Sequence, residues 1–409
     1  MPIRPFSFLH ASDLHLDRPP TGVEEVPEHL RPLFVDCAYR SAQRIFDAAL
    51  AGPVDFVVLA GDVVDPDLAG PRGCVFLSEQ AARLAAKNIR VYWAGGRADH
   101  ADIWPPGLDL PANVHLFPRG QVGRFTHRRD NEPLAALVGL SRQDRKRIRP
   151  AEFVPEDDMP FTIAVCYGLA EGETLAGHGI HYWALGGEHE RRNVGAAPLM
   201  AHYPGTPQGR RPREAGPRGC TSVQVDEQAR VRQTFVSTDA LRWLNERILV
   251  TPHTSRDQLE RQLRERAAAL WGAGLGPDAL VHWSVAGSPW LAAKLRWSSL
   301  ENDLLARLRN EFGSRRPALW SVAIEPHGDL EPPESWSEQE SLLGEMLRSL
   351  KKLAASEEPP DLRVLLGERQ SRGSLAGAAA LDDPAERRRT FEDAALLAMD
   401  MLSHEESPK

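Results

Sequence analysis

Val54-Asp-Phe-Val-Val-Leu-Ala-Gly-Asp62 decides the fold of this chain, read together with Phe6-Ser-Phe-Leu-His-Ala-Ser-Asp-Leu-His15 before it. A run of apolar, largely β-branched residues that stops in Gly-Asp reads as a buried strand delivering a carboxylate to the rim of a sheet. Phe6–Ala11 does the same for Asp13 and His15. Two strand ends carrying Asp, His and Asp point to a cation site of hard oxygen ligands with imidazole among them.

Working outward, strand-like and helical runs alternate. Phe6–His10, Phe56–Ala60, Arg90–Ala94, Ala135–Leu140, Phe161–Cys166 and Tyr182–Leu185 read as strands, Asp36–Leu50 and Ser78–Lys87 as helices. Cys220–Val236 adds β-like alternation and closes an α/β domain over residues 1–238. A second unit, 239–326, reads as βαβαβ. Its strands are Glu246–Val250, Leu280–Val285 and Leu319–Ile324, and its helices are one opened by a Ser255/Gln258 capping box and Leu300–Phe312. Residues 327–409 form an acidic, Pro- and Glu-rich tail with two amphipathic segments. One is expected after a Ser337/Glu340 capping box, with Leu343, Met346, Leu347, Leu350 and Leu353; the other opens at Asp383-Pro384, with Phe391, Ala395, Ala398 and Leu402 on one stripe.

The 409 residues exceed one ordinary core, and 42% hydrophobic with 26% charged is a globular composition. No apolar run approaches a membrane span, and the chain enters its first strand directly, so neither membrane insertion nor a signal peptide is expected. Cys37, Cys74, Cys166 and Cys220 are widely spaced and read as reduced cytoplasmic thiols. From Pro326 onward there are 18 acidic and 10 basic residues, so the preceding part holds 39 of each and the tail carries the net charge of −8. A neutral body neither demands nor excludes nucleic acid.

His10-Ala-Ser-Asp-Leu-His-Leu16, Ala60-Gly-Asp-Val-Val-Asp65, Tyr182-Trp-Ala-Leu-Gly-Gly-Glu-His189 and Tyr203-Pro-Gly-Thr-Pro-Gln-Gly-Arg210 occur in this order along the chain. In order and spacing they resemble the calcineurin-like metallophosphoesterases, in particular the nuclease-subunit branch of SbcD/YhaO-like DNA repair exonucleases, over roughly residues 1–330. The resemblance implies a four-layer αββα sandwich with a small βαβαβ cap and a helical C-terminal tail. It also implies two metals side by side. One would take Asp13, His15, Asp62 and His189, all present. The other shares Asp62, but the family's Asn and two His ligands stand here as Arg97, Tyr167 and Gly187. The family's catalytic His is Ala98. His100, two positions on, is expected to be displaced from that role. One divalent transition metal is therefore expected, Mn²⁺ first, with Fe²⁺ and Zn²⁺ as alternatives.

A guanidinium at Arg97 is suited to pair with Asp62 or to hold a phosphate; it replaces a metal's charge but not its chemistry. Arg210, Arg211 and Arg213 are further candidates for phosphate or DNA contact, beside Arg218. Arg142, Arg145, Lys146, Arg147 and Arg149 form a second basic stretch, and the bland reading of both is a solvated loop. His178 and His181 read as loop histidines, Cys166 as a core thiol. The branch's partner is an SMC-like coiled-coil ATPase, SbcC- or YhaN-like, on which the tail segments are expected to dock; DNA and a second copy of the chain are the other expected partners. Two functions stay open: a slow or narrowed exonuclease, and an inactive DNA-binding scaffold.

Overall fold

The computed structural model describes residues 3–100, 104–105, 109–142, 147–155, 158–195, 200–251, 254–297, 299–327, 334–356, 381 and 383–402. Chain contacts divide it into a unit of residues 1–244 and a unit of residues 245–409.

The first unit holds two six-stranded mixed sheets. Strands β1 (Phe6–Ala11), β2 (Phe56–Leu59), β3 (Arg90–Trp93) and β4 (Val114–Leu116) run parallel in that spatial order. The second sheet begins with the hairpin β5 (Gly123–Arg129) and β6 (Glu132–Leu140). It continues in parallel through β7 (Thr162–Tyr167), β8 (Tyr182–Gly186) and β10 (Ala201–Tyr203), and β9 (Arg192–Val194) closes its far edge. β11 (Gly219–Val225) returns to the first sheet antiparallel to β1, and β12 (Val231–Ser237) follows it. The one-residue register of Phe8↔Phe56 through Ala11↔Leu59 brings the ends of β1 and β2 level, which is why Asp13 and Asp62 emerge on one rim.

The sheets meet face to face through alternate side chains of their strands. Phe6, Phe8, Phe56, Val58 and Tyr92 pack against Leu137, Phe161, Ile163, Val165 and Tyr182. Edge-on pairs such as Phe6–Phe161 and Phe8–Tyr182, both with centroids 5.4 Å apart, lock this interior. The other face of the first sheet is covered by α1 (Arg31–Ala51) and α2 (Pro66–Ala85), with Ala42, Ile45, Leu77 and Leu84 against Leu9, Val57 and Val91. α2 starts a dozen residues before the periodicity alone indicates, because Asp65 caps Asp67 and Leu68 and a kink at Gly70–Pro71 interrupts its first turns. On the outer face of the second sheet the expected helical layer is reduced, among the described residues, to the 150–152 turn and the single turn α3 (Gly172–Leu175), and Phe153 and Leu175 pack with Val138, Cys166 and Trp183.

β13 (Leu241–Leu249), which runs across the division, forms a three-stranded sheet with β14 (Asp278–Ala286) and β15 (Leu319–Pro326) of the second unit, β14 and β15 parallel. α4 (Arg256–Gly272) carries the expected Ser255/Gln258 capping box. Between β14 and β15 there are two helices, α5 (Pro289–Trp297) and α6 (Leu300–Leu308), so the order is βαβααβ and not the expected βαβαβ. The α6 pattern ends in a π-turn at Arg309–Gly313. After the one-turn α7 (Glu334–Ser337), α8 (Leu342–Ala354) is capped by Ser341, whose Oγ accepts from Gly344; the Ser337 cap expected from spacing is not used. α9 (Pro384–Leu402) opens where Asp383 accepts from Ala385. Its Ala395 and Met399 pack with Leu347 of α8 and Trp290 of α5, and Asp393 pairs with Arg296 of α5 at 2.6 Å. Residues 357–380 and 382, between α8 and α9, lie outside the described residues. Among the described residues no helix is long and apolar enough to cross a membrane.

Candidate metal centre

The ends of β1 and β2 are tied by their backbones. Asp13 N–H donates to Gly61 O at 2.9 Å, His15 N–H to Asp62 O at 3.0 Å and Leu16 N–H to Val63 O at 3.1 Å. Asp13, His15 and Asp62 all have positive φ, +54°, +47° and +49°. Such values are uncommon for residues with a side chain and persist only where the surroundings dictate them. Asp99 is one reason. Its buried carboxylate accepts from the N–H groups of Gly96, Asp62 and Val63 and from Trp93 Nε1, joining the ends of β2 and β3. Thr206 is another, its hydroxyl donating to Asp13 O at 2.8 Å.

Asp13, His15 and His189 converge, their ligand atoms all within 4.8 Å of one another. The two Nε2 atoms of His15 and His189 lie 3.3 Å apart. Two imidazole nitrogens sharing one ion at about 2.1 Å in a tetrahedral site would be separated by roughly 3.4 Å. Asp13 is fully buried; its Oδ2 accepts from Ser12 Oγ at 2.6 Å and Gly187 N at 3.0 Å, whereas Oδ1 has no partner and lies 4.0 Å from His15 Nε2. An orphaned carboxylate oxygen beside two facing imidazoles is what a divalent ion satisfies. Burial pushes the Asp13 carboxyl up to about 7 and holds His15 down to about 3, the Arg210 charge assisting at His15, so this imidazole is neutral.

His189 has a support that sequence reading missed. Its Nδ1 donates to Glu214 Oε1 at 2.7 Å, which leaves Nε2 as the lone-pair nitrogen facing His15. Burial alone would raise the Glu214 carboxyl. The His189 hydrogen bond, the Arg210 N–H at 2.7 Å and the Arg210 charge outweigh it and bring it to about 2. Glu214 lies beyond the motif strings, in a Gly/Pro-rich stretch whose one signal was an acid among arginines. Of those arginines, Arg210 is buried, with Nη2 3.5 Å from His189 Nδ1, and Arg218 donates to the carbonyls of His189, Glu214 and Ala215. Both are internal supports of the His189 loop. Arg211 and Arg213 are exposed.

Asp62, the fourth expected ligand, is not part of the converging group. Its Oδ1 accepts from Arg97 N–H at 2.6 Å, and its Oδ2 from Arg97 Nε at 3.0 Å and Tyr167 Oη at 2.7 Å. Burial, which opposes ionisation, is outweighed by these donors and the Asp62 carboxyl is held below its usual range. Gly96 permits this approach, since a Cβ there would collide with Asp62 N and Oδ1. His15, Arg18, Asp62, Arg97 and Ala98 line a cleft of about 110 Å³.

The remaining candidates are not among the three converging residues. His181 stacks on Phe161 and accepts from Thr162 N–H; Cys166 is in the core, its thiol pushed up by burial. His100 is buried and His178 half-buried. Arg142 lies 5.5 Å over the Tyr167 ring, and Arg147 and Arg149 line a crevice with it; Arg145 and Lys146 lie outside the described residues.

Residues 6–190 match the family model of the calcineurin-like phosphoesterases. Over 234 residues the chain is 32% identical to the uncharacterized metallophosphoesterase YhaO of Bacillus subtilis (strain 168), an overlap of 54% of this chain and 57% of that protein. The chain thus spans little more than half the length of this curated relative. The family match takes in Asp13, His15, Asp62, Arg97, Tyr167 and His189 and stops short of Glu214.

Proposed function

We propose that residues 6–190, which match the calcineurin-like phosphoesterase model, form a metallophosphoesterase domain, and that this chain is an SbcD/YhaO-like DNA repair exonuclease subunit working with one divalent ion and reduced turnover. The observation that carries it is the bare Oδ1 of Asp13 beside the facing Nε2 atoms of His15 and His189. These three residues would hold the ion, Mn²⁺, Fe²⁺ or Zn²⁺. When bound, the ion supplies Lewis acidity toward a phosphoryl oxygen.

The chain's own groups do the rest. Glu214 fixes the tautomer and orientation of His189. His15 stays neutral and ready to ligate. Asp62 holds Arg97 at the cleft, where its guanidinium meets the charge of a phosphate. Ala98 offers no proton to a leaving oxygen, which is the main reason for low turnover. The cytoplasm, DNA and an SMC-like ATPase partner belong to the same reading and rest on the ordered motifs.

A second reading, a scaffold that binds DNA without cutting it, is favoured by the Asp62 carboxylate, whose two oxygens are already occupied by donors. Incubating the full chain with Mn²⁺ and linear DNA, and following both nucleotide release and retention of the DNA, tests the two together. Slow Mn²⁺-dependent release abolished by His189→Ala supports the first. Metal-dependent binding without release supports the second. Neither binding nor release defeats both.

A further inference from the structure

We propose that Asp62, Arg97 and Tyr167 form a built-in cation–carboxylate unit in the place of a second metal ion. The centre is then mononuclear on Asp13, His15 and His189, and Asp62 serves as counter-ion to an arginine that takes a phosphate oxyanion. This rests on the one-ion reading above and assigns the parts around that ion.

Two carboxylates reach the same rim from neighbouring strands and are treated in opposite ways. Asp13 keeps one oxygen without a partner. Asp62, 6% exposed, has a donor on each oxygen and three in all, one of them a guanidinium. A charge-assisted bond from arginine and a phenolic O–H on one oxygen already supply the positive field that a buried carboxylate requires. Oδ1 keeps a lone pair beside the Arg97 N–H, but a divalent ion taking it would sit next to the guanidinium, a like-charge contact that disfavours it.

The packing agrees. Gly187 has φ +103°, and a Cβ there would meet Tyr167 ring carbons at 3.1 and 3.2 Å. The Tyr167 ring therefore fills the space that a side chain from 187 would need. Arg97, Tyr167 and Gly187 are one arrangement: the ring lies close over Gly187, whose φ suits glycine, and the ring hydroxyl and the guanidinium both donate to Asp62. Arg97 is anchored through Nε, while its side chain stays 56% exposed in the cleft it lines with His15 and Ala98. The other cation of that lining, Arg18, is paired with Asp17 at 2.9 Å, and the lining's Asp65 is turned to the N–H groups of Asp67 and Leu68 at the start of α2. Arg97 is thus placed to hold an oxyanion next to the three-ligand centre.

Calorimetric titration of the metal-free full chain with Mn²⁺, and of the loaded chain with inorganic phosphate, tests this without reference to turnover. Asp62→Asn is expected to keep one Mn²⁺ per chain with affinity within about threefold of wild type, whereas Asp13→Asn lowers it about 100-fold or more. Tyr167→Phe, which removes one oxygen and keeps the ring, is expected to leave Mn²⁺ binding equal or tighter. Arg97→Ala is expected to weaken phosphate about tenfold or more while sparing Mn²⁺. Circular dichroism of each variant separates these losses from misfolding. If Asp62→Asn loses Mn²⁺ as Asp13→Asn does, or the wild type holds two ions, the inference is overturned while the metal-dependent reading stands. If the wild type binds no Mn²⁺, both fall. Phosphate affinity unchanged in Arg97→Ala overturns the oxyanion role.

Discussion

His15 and His189 are 174 positions apart in the chain, yet their Nε2 atoms face each other across 3.3 Å, with Glu214 holding the far nitrogen of His189 at 2.7 Å. Both Nε2 atoms face the same point, and Asp13 brings a carboxylate oxygen without a partner to it. The expected outcome is one divalent transition-metal ion per chain by elemental analysis after loading and desalting. His189→Ala should bring this to near zero, and a value near two would refute the three-ligand centre.

Glu214 is expected to matter for metal affinity and, as the buried partner of Arg210 with its carboxyl brought to about 2, for stability as well. Glu214→Gln keeps the size of the side chain but removes the charge that orients the His189 N–H. Loss of such an outer partner costs about 10- to 100-fold in metal affinity. Competition against a fluorescent chelator would measure it, with an unchanged far-ultraviolet spectrum as the control. Affinity equal to wild type would show that packing alone orients His189.

Metal binding should be acid-sensitive in a defined window. The Asp13 carboxyl is raised to about 7, so below that pH a proton must leave before the ion enters, while His15, at about 3, is already neutral. Apparent affinity should fall about tenfold per pH unit below 7 and level off above it. Stability of the metal-free fold runs the other way for Asp13: the native state holds the extra proton, so stability falls as pH rises from about 4 to 7. Titrations in two buffers of different ionisation enthalpy should show close to one proton released at pH 6 and few at pH 8.

Turnover is expected to be low. With Ala98 in the cleft and Asp62 engaged by Arg97, nuclease activity of the isolated chain should lie orders of magnitude below that of a two-metal enzyme. Robust Mn²⁺-dependent degradation of linear DNA that Asp62→Asn abolishes would show that Asp62 acts at the metal after all.

The C-terminal helix should contribute to the stability of residues 245–409. Met399 is fully buried against Leu347 and its neighbours. Met399→Ala is expected to cost about 2–5 kcal/mol, as large-to-small changes in a core do, read from chemical denaturation of the full chain followed by tryptophan fluorescence. A change below about 0.5 kcal/mol, the range of surface substitutions, would show that α9 serves something other than this unit's core.

The strand ends were legible because period and punctuation coincide. Phe56–Leu59 is apolar without alternation, as a strand covered on both faces must be, and Gly61-Asp62 stops it abruptly. Helix starts were less legible. Ser337 and Ser341 both precede apolar residues at capping distance, and local spacing does not choose between them; the apolar face of α8 packed against α9 does. α5 went unseen because Pro289–Trp297 is short and its amphipathic stripe is interrupted by charge.

The sequence by itself determined which chemical groups stand at the rim: two aspartates and a histidine at strand ends, an arginine and an alanine after β3, a tyrosine ending β7, a histidine after β8. Those identities follow from where apolar runs stop, which is a local property. Only the tertiary structure decided how the groups divide. Hydrogen-bond partners are set by distances between segments far apart in the chain. Tyr167 lying over Gly187, the guanidinium of Arg97 and the approach allowed by Gly96 bring donors to both oxygens of Asp62, while among the described residues none reaches Oδ1 of Asp13. One carboxylate is thereby a counter-ion and the other a ligand in waiting, a difference of surroundings between two residues of the same kind.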